Sequence, residues 1–175
     1  MANLTDSPHF AIHDHYYTPA YAWKNITHII PKDKCIWEAC MLDSVLSKSP
    51  QYLEDLGCRR VVFNTDCDCL TTFIGCDMII TNIPFETKIK KKILTKFVEY
   101  DKPFIIIMNS MNTFSKYMRE IFKGNFEHLQ VITPSGKINF DKLVNGELIP
   151  TKKCSFYCIY LCYKMNIPNE HLWLE

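Results

Sequence analysis

A short segment of the sequence, Asn82-Ile83-Pro84-Phe85, places an amide side chain, a main-chain carbonyl and an aromatic ring next to one another. It follows the apolar run 78–81, whose β-branched residues favour a buried strand, and Pro84 must end that strand because proline fixes φ and lacks an N–H. An amide oxygen and a carbonyl can both accept hydrogen bonds from an exocyclic amine, and a ring can stack on a nucleobase. At the carboxyl end of a parallel strand, where open α/β sheets bind ligands, these groups would suit a flipped-out base.

This segment resembles the Asn-Pro-Pro-Phe/Tyr motif of S-adenosylmethionine-dependent amino methyltransferases, most of all the phage-type enzymes that methylate N6 of adenine in DNA. In that family the asparagine side chain and the next carbonyl hold the target amine, and the aromatic ring stacks on the base. The resemblance therefore implies catalytic roles for Asn82, Ile83, Pro84 and Phe85. Ile83 replaces the first proline of the motif, which keeps the carbonyl but loses the stiffness of proline.

Five further segments resemble the same family and occur in its order, namely 16–19, 36–43, 61–66, 135–140 and 155–163. They correspond to the Tyr-Thr-Pro opening that contacts the cofactor, the first-strand motif Glu-Pro-Cys-x-Gly-Asp-Gly, the second strand with its terminal acid, and the closing hairpin. The resemblance implies S-adenosyl-L-methionine as the cofactor. The cofactor-binding residues that it implies are Tyr17, Thr18, Pro19, Glu38, Cys40, Asp43, Asp66 and Asp68. Asp66 would hold the ribose hydroxyls, with Asp68 as the alternative.

The implied cofactor site departs from the family pattern. Leu42 and Ser44 occupy its two glycine positions, where glycine lets the backbone approach a cofactor. The stretch between Asp66 and Asp77 is also short, so the acidic segment that reads the cofactor's adenine in the family is compressed or missing, unless Asp68 serves it. The first hypothesis is an active adenine-N6 methyltransferase with relaxed or partner-supplied specificity. The second is an inactive relative, a pseudoenzyme, that acts as a nucleic-acid-binding, scaffolding or partner subunit. A third is an unrelated small Rossmann-like protein.

Length and composition indicate one globular domain. The chain has 175 residues, of which 47% are hydrophobic and 22% charged. We expect an N-terminal arm over 1–15 and a single methyltransferase-like domain over 16–175, with no separate target-recognition domain. A formal charge of +1 gives no overall attraction to nucleic acid, so DNA, the partner that the resemblance implies, must be bound through local patches. Assembly into a homo- or a hetero-oligomer is compatible with the sequence.

The nine cysteines indicate an intracellular, reducing compartment, the cytoplasm or the nucleus, because their number is odd and no signal peptide precedes them. No metal site is expected, since Cys67-Asp68-Cys69 is spaced too tightly for a usual zinc pair. Cys154, Cys158 and Cys162 should act as small apolar residues on one face of a strand. No apolar run approaches the ~20 residues of a membrane helix, so no membrane partner is expected.

Hydrophobic periodicity predicts the elements that must position these groups. The predicted strands are 34–37, 60–64, 78–81, 104–108, 126–132 and 155–163, the last of the chain. The predicted helices are 18–30, capped by Thr18, then 49–56, 88–100 and 115–122. Strands that alternate with helices form parallel βαβ units. The expected fold is therefore an α/β, Rossmann-like methyltransferase fold with a mostly parallel central sheet, helices on both faces and an antiparallel C-terminal hairpin. It should bring the strand ends at Glu38 and Asn82 to one crevice.

Overall fold

A mostly parallel sheet forms the centre of the protein, as predicted. The computed structural model describes residues 16–41, 45–64, 68–151, 154–168 and 171–174, and the expected N-terminal arm 1–15 lies outside them. The strands are β1 (Tyr16–Tyr17), β2 (Cys35–Glu38), β3 (Arg60–Phe63), β4 (Met78–Asn82), β5 (Phe104–Asn109), β6 (Leu129–Thr133), β7 (Asp141–Val144), β8 (Glu147–Pro150), β9 (Cys158–Tyr163) and β10 (His171–Trp173). The α-helices are α1 (Ala20–Lys24), α2 (Ser49–Asp55), α3 (Thr87–Glu99) and α4 (Lys116–Ile121).

Seven of these strands make the central sheet, in the order β10-β6-β9-β5-β4-β2-β3. Strands β3, β2, β4 and β5 run parallel to one another. Strand β9 lies antiparallel between β5 and β6, which confirms the antiparallel element expected near the C-terminus. Strand β10 then pairs parallel with β6, so the prediction that β9 is the last strand is wrong.

Alternation along the strands fills two hydrophobic clusters, one on each face of the sheet. Ile79 and Ile106 pack in one cluster, whereas Ile80 and Ile105 pack in the other. Both faces are buried, which explains why the parallel strands read as continuous apolar runs. Helix α3 contributes its apolar stripe to the first cluster and begins where the Glu86 side chain accepts hydrogen bonds from two main-chain amides.

The predicted helix 18–30 is wrong at both ends. Helix α1 begins at Ala20 rather than Thr18 and ends at Lys24 rather than residue 30, and its N-cap is Pro19, with no side-chain hydrogen bond. Thr18 is buried directly after the short strand β1, which the helical spacing of the sequence did not predict, so its hydroxyl does not cap the helix. The sequence interpretation also missed a small sheet, β1-β7-β8, although its β7–β8 turn is Asn145-Gly146, with φ values of 53° and 86°. Asn-Gly is a strong hairpin signal because both turn residues need positive φ.

The cysteines behave as apolar residues in the described part of the chain. All eight described cysteines are free thiols. Cys154, Cys158 and Cys162 share one core cluster, but Cys154 precedes β9, so the three do not lie on a single strand. Among the described residues, no group of three His, Cys, Asp or Glu side chains could hold a metal ion. None of the described helices is long and apolar enough to cross a membrane.

Tyr160 fastens the antiparallel strand β9 to helix α1. Its buried hydroxyl donates a hydrogen bond to the Ala22 carbonyl oxygen at 2.5 Å. Tyr160→Phe should lower the free energy of unfolding by about 1–2 kcal/mol, because the buried carbonyl loses its partner. Urea unfolding measures the change. Tyr157→Phe removes the same atom from a side chain that is 61% exposed, and an equal loss in both variants would contradict the expectation.

Candidate active site at the carboxyl ends of the parallel strands

Strands β2 and β4 end side by side. They are parallel neighbours, with Ile36 opposite Met78 and Trp37 opposite Ile79. Glu38 therefore ends β2 next to the end of β4, where Asn82 lies opposite Ile107 of β5. The two strand ends that were expected to share a crevice are therefore neighbours at the carboxyl ends of the parallel strands.

Glu38 is enclosed by hydrogen-bond donors. Its side chain is 2% exposed and accepts hydrogen bonds from the hydroxyls of Thr81 and Ser49. The Cys40 amide donates to Thr81 Oγ1 at 3.0 Å, and Trp23 Nε1 donates to Ser49 Oγ at 2.6 Å. These contacts join β2, β4 and the first residue of α2. A contact between Glu38 and the amine of a cofactor would require this network to open.

Burial dominates the acidity of Glu38. Desolvation raises the pKa of its carboxyl from 4.5 to about 7, against the smaller lowering effect of the hydrogen bonds from Thr81, Ser49 and the Cys40 amide. The protonated and ionised forms are therefore both populated near neutral pH. A carboxyl that is partly protonated can stay buried between hydrogen-bond partners at a lower cost than a carboxylate that is always ionised.

Asn82 carries an amide oxygen without a partner. Its Oδ1 is buried and accepts no hydrogen bond from any described residue. An unsatisfied buried polar atom costs about 1–3 kcal/mol and calls for an explanation, of which a functional role is one. Ile83 and Pro84, which follow, are also buried, and the Ile83 amide donates to the Ile107 carbonyl at 3.4 Å. The segment is thus held by the sheet while one acceptor stays unused.

Phe85 belongs to an aromatic cluster that comprises Tyr16, Phe85, Phe140 and Phe156. The Phe85 ring centre lies 4.7 Å from that of Phe156, 5.5 Å from that of Phe140 and 5.6 Å from that of Tyr16. Phe85 and Phe156 are half-buried, whereas Phe140 is fully buried. Phe140 and Phe156 were not predicted as site residues, although both lie in segments that resemble the closing hairpin.

A cavity of about 390 Å³ opens beside the ends of β2 and β3. Its lining residues are Met41, Ser47, Lys48, Pro50, Gln51, Glu54 and Phe63. The volume falls within the usual range of ligand pockets. Phe63 is 46% exposed, and the next residue, Asn64, accepts a hydrogen bond from Trp37 Nε1 at 3.1 Å while its buried Nδ2 lacks a partner among the described residues. Neither Phe63, the last residue of β3, nor Asn64, which follows it, was predicted as a site residue, although both lie at the end of the second predicted strand.

The structure brings only some of the implied cofactor residues to this edge. Glu38 and Cys40 lie at the end of β2, and Tyr17, Thr18 and Pro19 are buried against the protein interior. Asp43 and Asp66, with the substituted glycine positions 42 and 44, lie outside the described residues. The main chain of Asp68 begins a 3₁₀ helix, Asp68–Leu70.

The connection between β3 and β4 is short, as the sequence analysis expected. Its described part, 68–77, contains that 3₁₀ helix and no strand, and β3 forms one edge of the sheet. The acidic segment that would read the adenine of the cofactor thus has no strand of its own in the described chain.

Comparison with known proteins agrees with this architecture. No protein-family model and no curated protein sequence matches the chain significantly. A solved structure from Listeria monocytogenes, provisionally assigned as a class I S-adenosylmethionine-dependent methyltransferase, matches with a TM-score of 0.55 at 11% identity. The match covers 92% of this chain but 66% of that one, slightly under two thirds. An S-adenosylmethionine-dependent O-methyltransferase from Thermotoga maritima matches with a TM-score of 0.43 at 12% identity, over 87% and 68% of the two chains. The match to the Listeria structure shows that the chain shares its fold, with a mostly parallel, Rossmann-like central sheet.

Proposed function

We propose that the chain transfers a methyl group from S-adenosyl-L-methionine to the N6 amine of adenine in nucleic acid, with DNA as the favoured acceptor. The observation that carries this proposal is the buried, unpartnered Asn82 Oδ1, three residues before the half-buried ring of Phe85. An amide oxygen can accept from an exocyclic amine, and an aromatic ring can stack on the base.

The role of Asn82 follows from the chemistry of the amine. The lone pair of an adenine amine is delocalised into the ring, so the nitrogen is a poor nucleophile. Acceptors at Asn82 Oδ1 and the Ile83 carbonyl would draw both N–H groups and favour a tetrahedral nitrogen, an interaction that strengthens in the transition state. Phe85 would fix the plane of the base, which brings the amine to attacking distance. No side chain with an unusual pKa is needed to remove a proton before the transfer.

The residues at the ends of β2 and β3 fit the cofactor by size and donor type. When bound, S-adenosylmethionine supplies an electrophilic methyl group. Phe63 offers an exposed aromatic face for its adenine, and Asn64 Nδ2 offers an unused donor. Met41 and Lys48 line the same cavity. Glu38 would position this edge through its hydrogen bonds to Thr81 and Ser49 rather than touch the cofactor.

Cofactor binding gives the first test. S-adenosylmethionine at about 100 times its Kd should raise the free energy of unfolding by about 2.7 kcal/mol, seen as a higher Tm. Phe63→Ala should weaken its binding about tenfold or more, because a stacking face is lost. Phe126→Ala is the matched control. Phe126 is 49% exposed and precedes β6, at the end of the sheet opposite to the carboxyl ends of β2 and β3. If titration calorimetry shows no heat of binding and the Tm does not shift at millimolar S-adenosylmethionine, the methyltransferase proposal is ruled out.

The enclosure of Glu38 favours a second candidate function. If the network around it never opens and the cofactor does not bind, the chain would act as a non-catalytic nucleic-acid-binding or partner subunit, alone or in a homo- or hetero-oligomer. Binding of oligonucleotides without any binding of S-adenosylmethionine is the result that this candidate requires. Detection of N6-methyladenine by mass spectrometry, after incubation with DNA and the methyl donor, would exclude it.

A further inference from the structure

The turn after β5 presents two large apolar side chains to solvent. Phe114 is 93% exposed and Met111 is 84% exposed, the highest values among the large hydrophobic residues of the described chain. Tyr157, which is 61% exposed, precedes β9, and its main-chain carbonyl accepts a hydrogen bond from the Ser110 amide at 2.9 Å. We call Met111, Phe114 and Tyr157 the apolar rim.

The apolar rim borders the candidate active site. Strand β5 pairs parallel with β4, and Asn82, the last residue of β4, lies opposite Ile107. Because β5 continues to Asn109, the turn that follows it extends beyond Asn82 on the same edge of the sheet. The apolar rim therefore follows the carboxyl end of the strand that neighbours Asn82.

Hydrogen bonds fix the shape of this turn. The Asn109 side chain accepts from the Met111 amide at 2.9 Å, and Thr113 Oγ1 donates to the Ser110 carbonyl at 2.7 Å. The Ser115 amide donates to the Asn112 carbonyl at 3.1 Å and closes the turn before α4. The exposed side chains are therefore held on an ordered frame, which reduces the entropy lost when they bind a partner.

The charges around the rim suit an anionic partner. Lys137 Nζ lies 4.6 Å from the ring centre of Tyr157. Lys116, next to the turn, has a side chain that is 91% exposed and lies 3.7 Å from Glu120. The segments 109–115, 134–140 and 154–158 contain no Asp or Glu. Aromatic faces beside lysines are the usual surface for single-stranded nucleic acid, whose bases stack while its phosphates meet the cations.

We propose that the apolar rim is a stacking platform for the nucleotides that flank the target base in single-stranded or locally opened nucleic acid. This inference rests on the proposed function for the class of acceptor. The strand-end motif has no surface for the nucleotides on either side of a flipped-out base. The rim supplies one, on which these flanking bases can stack. A second copy of the chain fits less well, because three side chains fall far short of the roughly 800 Å² per partner of a stable interface.

Fluorescence anisotropy with a labelled oligodeoxythymidine tests the rim. This probe contains no adenine, so its binding does not depend on methyl transfer. Phe114→Ala should raise the Kd about tenfold, and adding Met111→Ser should raise it further. Phe126→Ala, which removes an exposed phenyl ring at the opposite end of the sheet, should leave the Kd unchanged. The Phe114→Ala and Met111→Ser substitutions should keep the wild-type Tm, because both side chains are largely solvated.

An unchanged Kd in Phe114→Ala, or no binding by the wild-type protein, would overturn the inference. So would a wild-type dimer that Phe114→Ala converts to a monomer in light scattering, since the rim would then serve a second copy. If Phe114→Ala changes nothing while Asn82→Ala strongly lowers methylation, only the rim inference fails. If the rim variants weaken binding but no methylation occurs with any acceptor, only the proposed function fails.

Discussion

Asn82→Ala is expected to lower kcat/KM for methyl transfer to adenine about a hundredfold while leaving the protein at least as stable as the wild type. The substitution removes the acceptor that holds the amine in the transition state, and a loss of about 3 kcal/mol there lowers kcat/KM by about two orders of magnitude. It also removes an amide oxygen that is buried without a partner. Stability should therefore be unchanged or rise by about 1 kcal/mol. Methylation is followed by mass spectrometry and stability by urea unfolding.

Asn109→Ala provides the contrast. Asn109 ends the neighbouring strand β5, but its Oδ1 accepts from the Met111 amide at 2.9 Å. Its loss should destabilise the protein by about 1 kcal/mol, the opposite sign to Asn82→Ala. An Asn82→Ala protein that is clearly less stable than the wild type would show that Asn82 has a structural role. Retained methylation would remove the basis of the proposed function.

Glu38→Gln is expected to make the protein more stable at pH 8 and to weaken the pH dependence of its stability. The pKa of Glu38 is about 7 in the folded state, whereas that of an exposed glutamate carboxyl is 4.5. Between these values the folded state binds more protons than the unfolded state, so stability falls as the pH rises through this window. The contribution is fully present below pH 4.5, and about 3 kcal/mol of it is lost above pH 7.

Glutamine cannot ionise, so it should keep most of the stability of the neutral form at alkaline pH. Allowing for the hydrogen bonds that an amide makes less well, we expect a gain of about 2 kcal/mol at pH 8 and little change at pH 5. Urea unfolding at several pH values measures both. Glu147→Gln, in an exposed position of β8, should stay within about 0.5 kcal/mol of the wild type throughout. Equal pH slopes in the wild type and Glu38→Gln would contradict the assignment.

Much of the fold could be predicted because its elements are encoded locally. The fully apolar segment 104–108 can only be a strand buried on both faces, and the spacing of Ile89, Ile93 and Phe97 can only give one apolar helix face. Gly57 follows α2 with a φ of 94°, which is the conformation that a glycine after a helix predicts. The right-handedness of βαβ connections then limits the strand orders that are possible.

The candidate site was less predictable because its contacts join distant segments. Glu38 at a strand end resembles a ligand-binding acid, but its partners Ser49 and Thr81 are set by how β2, β4 and α2 pack together. The missing partner of Asn82 Oδ1 is likewise a property of the packed structure. The two-residue strand β1 is too short to have a pattern, and it exists only because β7 pairs with it.

The position of β9 has a consequence for the order in which the polypeptide can fold. This strand lies between β5 and β6, although β6 is synthesised first. β6 therefore cannot join the sheet until residue 163 is available, and pairings over such sequence distances close slowly. The aromatic cluster also forms late, because Phe156 can contact Phe85 only after β9 has docked. A nascent chain that has completed Asn82 still lacks the aromatic contacts of Phe85, so ligand recognition should be one of the last properties that the chain acquires.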